Sequence, residues 1–178
     1  MTAARRKTRA RLRGFPPLEP ARSTARVLIL GSLPGAASIA AQQYYAHPRN
    51  AFWPIMRELV RFDDTLDYSL RCARLCAAGV ALWDVLAAGA RAGSLDANIV
   101  RGTERANDIG ALLQRHPKLK LIAFNGQTAA TLFRRHIRDG AEQLTQSRRY
   151  VVLPSTSPAH AAMPFADKLS RWRAALEF

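Results

Sequence analysis

Four short apolar runs limit this chain more than any other feature: residues 25–30 (ARVLIL), 80–86 (VALWDVL), 119–124 (LKLIAF) and 150–154 (YVVLP). Each is short for a helix and lacks the polar alternation of a strand with one wet face. Unbroken apolar strands belong in a parallel sheet covered on both sides. Helical stretches lie between them. "FWPIMRELVRF" places Pro54 in a first helical turn. "SLRCARLCAAG" offers Ser69 as an N-cap and Gly79 as a stop. "NDIGALLQRHP" starts near Asn107 or Asp108 and ends before Pro117, "GQTAATLFRRHI" follows the third run, and "FADKLSRWRAALEF" closes the chain. Strand and helix alternating at short spacing predict an α/β fold with a mainly parallel four-stranded sheet.

A length of 178 residues suits one domain, expected over residues 21–178 behind a flexible basic arm at 1–20. No run of eighteen apolar residues suggests a membrane span. "MTAARRKTRARLRG" has no apolar stretch behind it and so does not read as a secretory signal. It could serve as an organelle transit peptide; a basic arm on a cytoplasmic protein is the simpler reading. Cys72 and Cys76, four apart, suit thiols in a reducing compartment and are too few to hold zinc or an iron–sulfur cluster unaided.

Lys and Arg number 27 against 13 acids, a net charge of +14. So one-sided a balance points to a polyanion, nucleic acid ahead of an anionic membrane. A GC-rich genome would explain Arg over Lys, but less easily the shortage of acids. The clusters are Arg5, Arg6, Arg9, Arg11 and Arg13, then Arg134 and Arg135, then Arg148 and Arg149. Singly they are solvated charge; together they would bind phosphates.

Ligands of parallel sheets bind beyond the carboxyl ends of the strands. Three polar loops leave those ends, at 31–50, 125–128 and 154–163. The first carries the crowded stretch "QQYYAHPRNAFW", which no helical or strand period organises.

"LILGSLPGAASIAAQQYYAHPRNAFWPIM" resembles the first motif of the uracil-DNA glycosylase superfamily, and most of all its hypoxanthine-DNA (deoxyinosine) glycosylase branch. It is also similar in spacing to the mismatch-specific uracil glycosylases. "LPSTSPAHAAM" is similar to the late Leu-Pro-x-x-Ser loop, and "FNGQTA" to the exit of the third strand. The resemblance spans most of residues 26–176 and implies a three-layer α/β/α sandwich. It departs from the uracil-excising branches at Leu33, where they carry a water-handling Asn or Asp. The hypoxanthine branch shares the apolar residue and uses the Asn of its His-Pro-x-Asn segment, here Asn50.

What the resemblance implies for single residues stands beside plainer roles. Asn50 would place the attacking water; it equally suits the cap of a helix starting near Phe52. Tyr45 takes the position of the base-stacking aromatic, or packs under its loop. Gly31 and Gly35 give close backbone approach, and Gly31, Ser32 and Leu33 would wall the base pocket. On this reading Leu33 lines the pocket, so that Leu33→Asn would raise uracil excision. Asn125 offers a donor and an acceptor that fit O6 and N1–H of hypoxanthine, or makes an Asn-Gly turn. His47 would orient the loop or meet phosphate, or be structural before Pro48. Arg49 would meet phosphate or solvent. Ser155, Ser157 and their neighbours would bond the DNA backbone. His160 and Met163 are candidate wedges for the space left by a flipped base. Asp84 is set aside as a structural carboxylate.

The expected function is that of a monofunctional DNA glycosylase removing a deaminated base, hypoxanthine by preference, with no metal or cofactor and as a monomer. A uracil or broader glycosylase is the alternative within the class. A silent lesion-sensing DNA-binding module and an enzyme of free nucleotides are alternatives outside it.

Overall fold

The computed structural model describes residues 11–137 and 147–176; the basic residues Arg5, Arg6, Lys7 and Arg9 lie outside them. The main sheet has the order β3 (Val80–Asp84), β2 (Val27–Gly31), β6 (Leu121–Asn125), β7 (Arg149–Leu153), and every pairing is parallel. Each of β2 and β3 is buried along its full length, as their unbroken apolar sequences require. From β2 the chain moves outward to β3, then crosses to β6 on the other side of β2. The crevice between the ends of β2 and β6 is therefore the topological switch point.

Helices α2 (Phe52–Val60), α3 (Tyr68–Ala77) and α6 (Phe165–Leu176) share one face, with α2 touching both of the others. Right-handed crossovers put α4 (Ile109–Arg115) and α5 (Gln127–His136) on the opposite face. This is the expected α/β/α sandwich. In the core Phe52 meets Trp53 and Trp172 edge-on, at 5.2 and 6.1 Å between ring centroids. Trp172 also donates its indole N–H to the Pro154 carbonyl, so the core holds the start of the late loop.

Several elements differ from expectation. Asp67, not Ser69, caps α3: its carboxylate accepts from the Leu70 N–H at 2.9 Å and from the Ser69 hydroxyl at 2.8 Å. An acceptor two residues upstream reaches the free amides that Ser69, inside the first turn, cannot. Asp108 caps α4 through the Ala111 N–H. The first long loop contains a short helix, α1 (Ala36–Ala41). The run 80–86 is not one strand. The chain turns after Asp84, and the Val85 and Leu86 N–H groups donate to the Gly31 and Ser32 carbonyls. It then continues as β4 (Leu86–Ala90) in a second, antiparallel sheet of order β1 (Arg11–Arg13), β4, β5 (Arg105–Ala106).

Residues 11–20, expected within a flexible arm, are part of the packed domain. Arg11–Arg13 pair with Ala88–Ala90. The Phe15 carbonyl accepts from the Trp83 indole, the Pro16 carbonyl from the Tyr44 hydroxyl, and Glu19 bonds Arg115 and His116. Arg148 and Arg149 also depart from the reading as solvated charge, since their guanidinium groups donate to the Leu119 and Ala175 carbonyls.

Candidate active site

A pocket of about 280 Å³ opens at the switch point, walled by all three polar loops. Gly31, Ser32, Leu33, Tyr45, His47, Asn50, Asn125, Ser155, Ser157 and His160 all line it. Met163 lies in a wider adjoining groove of about 810 Å³, which shares Asn125, Ser155 and His160 with the pocket. Arg49 is exposed and lines neither. Ten of the twelve expected site residues thus meet in one cavity, although they are spread from position 31 to 160.

The first loop is shaped by its glycine and by one strained tyrosine. A Cβ on Gly31 would collide with Asp84 Oδ1 and stand 2.9 Å from Tyr45 Oη, so only glycine fits. Tyr45 adopts φ +55°, left-handed backbone that costs a non-glycine residue about 1 kcal/mol. The turn sends Tyr44 and Tyr45 to different partners. Tyr44 is buried and donates to the arm at Pro16. Tyr45 stacks one face on Phe52, 4.1 Å between centroids, and lines the pocket. Burial and then the nearby Asp84 push its phenol pKa up, so Tyr45 stays protonated.

Asn50 caps α2 and also lines the pocket. Its Oδ1 accepts from the Phe52 N–H at 2.9 Å, which fixes the amide at the start of α2. One lone pair of Oδ1 and the Nδ2 donors remain beside the pocket. His47 Nδ1 accepts from the Arg49 N–H at 3.1 Å, leaving Nε2 as the donor. Leu33 is 5% exposed, and its side chain turns into the core. Its Cδ2, Leu86 Cδ1 and Ile99 Cγ2 all lie within 4 Å of where a Gly89 Cβ would stand.

The other two loops are locked together. Asn125 Oδ1 accepts from the Thr156 N–H at 2.9 Å, and Asn125 Nδ2 donates to Thr156 Oγ1 at 2.8 Å. The Thr156 carbonyl accepts from the Ala51 N–H next to Asn50. Gly126, at φ +98°, lets β6 pass close to Ser155, whose Cβ would stand 3.0 Å from a Cβ added there. The buried Lys168 of α6 donates to the His160 carbonyl and holds the far end of the late loop.

Sequence reasoning missed a whole wall, Ser94–Asp96, and the Arg91 behind it. The Arg91 side chain, 1% exposed, donates to the Leu33 and Pro34 carbonyls of the first loop. It also pairs with Asp96 at 3.1 Å, and Asp96 accepts from the Ser32 hydroxyl at 2.5 Å. Burial raises the Asp96 pKa, while Ser32 and Arg91 pull it down. Nothing in "RAGSLDAN" signals this long-range clamp. Asp84 was legible but set aside: it ends a parallel strand, where ligand groups gather. Among the described residues, no group of three or more His, Cys, Asp and Glu could hold a metal ion. No helix among them is long and apolar enough to cross a membrane.

Comparison with known proteins agrees with this geometry. Residues 19–177 match the family described as the uracil DNA glycosylase superfamily. The chain belongs to that superfamily. A Methanosarcina acetivorans protein named hypoxanthine DNA glycosylase is 36% identical over 165 residues, 91% of this chain and 96% of its own length. A Methanosarcina barkeri protein of the same name is 40% identical over 115 residues, 64% and 70% of the two chains. The solution NMR structure of a candidate uracil DNA glycosylase from M. acetivorans superposes with a TM-score of 0.75 at 34% identity, covering 93% of this chain and 96% of that one.

Proposed function

We propose that this protein is a monofunctional DNA glycosylase that hydrolyses the N-glycosidic bond of deoxyinosine and releases hypoxanthine. The observation that carries the reading is the pair of fixed amides, Asn50 at the start of α2 and Asn125 at the end of β6, facing one pocket. The relatives named hypoxanthine DNA glycosylase support it.

The target nucleotide leaves the stack, at a cost of a few kcal/mol that a mispaired base lowers. Its base enters beside Tyr45. Asn125 presents its second Nδ2–H to O6 and the free lone pair of Oδ1 to N1–H. Adenine reverses both groups and is rejected. Asn50 orients a water towards C1′, an effect of position rather than basicity. The water oxygen bonds to C1′, the C1′–N9 bond breaks with its electron pair leaving on the base, and the base ends with the proton that the water gives up. Ser155, Ser157 and His47 Nε2 hold the DNA backbone around the lesion, Arg49 meets phosphate, and His160 and Met163 lie where a wedge would enter. The protein works as a cytoplasmic monomer without metal or cofactor.

The test uses labelled duplexes carrying one inosine, uracil or xanthine, with alkali cleaving the abasic product. Inosine cut first supports the reading. Uracil cut efficiently with inosine intact replaces it by the uracil alternative; tight binding with no cut at any base replaces it by the lesion sensor.

A further inference from the structure

One group in the pocket has no part in the hydrolysis described above. Asp84, at the end of β3, is 4% exposed, and its Oδ2 has no hydrogen-bond partner. Tyr45 Oη, beside it, makes no hydrogen bond of normal geometry either, although the Asn125 amide stands close enough to oppose the rise in its pKa. Both press into the space that Gly31 leaves by lacking a side chain. Buried polar atoms without partners are rare in folded proteins, and two at the floor of one pocket point to a ligand that satisfies them.

The surroundings decide which form the carboxyl takes. Arg91 is the cation near it, but its guanidinium is committed to Asp96 and to the carbonyls of Leu33, Pro34 and Gly93. Asp96 adds a like charge, and the phenols of Tyr44 and Tyr45 are neutral. Burial and then Asp96 raise Asp84 to about 7, with Arg91 opposing them. The protonated acid is therefore well populated at neutral pH, and a neutral carboxyl is a donor.

Uracil offers no ring nitrogen that could take a proton from such a group. A purine offers N7, and protonation there weakens the bond from N9 to the sugar. We propose that Asp84 is a catalytic acid that protonates N7 of the departing purine. The proposal rests on the hypoxanthine reading. As the C1′–N9 bond breaks, its electron pair moves into the base, N7 takes the Asp84 proton, and hypoxanthine leaves neutral. Water adds to C1′, and the proton it sheds restores the Asp84 acid.

Single-turnover excision is measured from pH 5.5 to 9 on DNA carrying deoxyinosine or 7-deaza-deoxyinosine, for wild type and Asp84→Asn. Wild type should cut inosine at a rate that falls above about pH 7 and should cut the 7-deaza base on the order of 100-fold more slowly. Asp84→Asn should be slow on inosine, with a flat pH profile, and should lose little more on the 7-deaza base. Equal wild-type rates on the two bases would overturn the proposal, and that comparison needs no variant. So would a folded Asp84→Asn protein that keeps the full 7-deaza penalty. Wild type that spares inosine but cuts uracil would remove the substrate reading itself, and this proposal with it.

Discussion

The Asn125 amide is held in one orientation by Thr156, whose N–H donates to Oδ1 while its hydroxyl receives from Nδ2. A flipped amide would set Nδ2 against that N–H, donor against donor. On the proposed reading, base discrimination at Asn125 depends on a residue that does not need to touch the base. Asn125→Asp tests the arrangement. The carboxylate still accepts from the Thr156 N–H, and the hydroxyl can turn round to donate, so the melting temperature should stay near wild type. The donor to O6 is lost, which is worth about 1–3 kcal/mol, roughly 10- to 100-fold in single-turnover excision of hypoxanthine. An unchanged rate would separate Asn125 from base recognition.

Substitutions can part the cap that Asn50 makes from its proposed part in placing water. Asn50→Ala removes the acceptor for the Phe52 N–H and should cost about 1 kcal/mol of stability. It should also lose on the order of 100-fold in excision, with DNA affinity little changed. Asn50→Ser keeps a capping oxygen but not the reach of the amide. It should recover most of the stability and none of the rate. Recovery of both together would leave the cap as the whole role of Asn50.

The position of Leu33 reverses the outcome that its sequence position suggests. Leu33 lines the pocket, but it is almost fully buried and its Cδ2 packs towards Leu86 and Ile99 in the apolar cluster. Leu33→Asn would bury an amide there without a partner, at a cost of roughly 2–4 kcal/mol. Melting should fall clearly, and the ratio of uracil to inosine excision should not rise. A stable variant with raised uracil excision would show that the loop can turn the new amide towards the sugar.

Asp84 makes stability depend on pH. Its folded-state pKa, about 7, lies above the ordinary 3.8, so the unfolded chain gives up this proton first. Stability falls as pH rises from about 4 to 7, and the penalty is complete above that. A shift of this size corresponds to at most about 4 kcal/mol. Asp84→Asn should match wild type in denaturant melts at pH 4 and exceed it at pH 8. Equal stability at both would mean that water or movement already satisfies the carboxylate.

The four parallel strands were legible because each carries its own signal, an unbroken apolar run bounded by loop residues. The pocket was legible because parallel strands deliver their loops to one end. Residues 86–106 were not. "LAAGA" has neither β-branched residues nor a period, so β4 exists only through its pairing with β1 and β5. The Arg91–Asp96–Ser32 clamp joins residues up to 64 apart in sequence, which no local pattern records. Asp67 and Ser69 show the limit at short range. Both residues can cap, and only the backbone path decides which oxygen meets the free N–H of Leu70.

The anchoring of β1 reaches beyond the domain itself. Arg11 pairs with Ala90, directly before the arginine that grips the pocket loop. The ten residues upstream, with Arg5, Arg6, Lys7 and Arg9 among them, start from that point. Covalent geometry alone limits them to about 36 Å from Arg11. The short strand that looks like a mere edge to the second sheet therefore fixes where the basic stretch joins the domain.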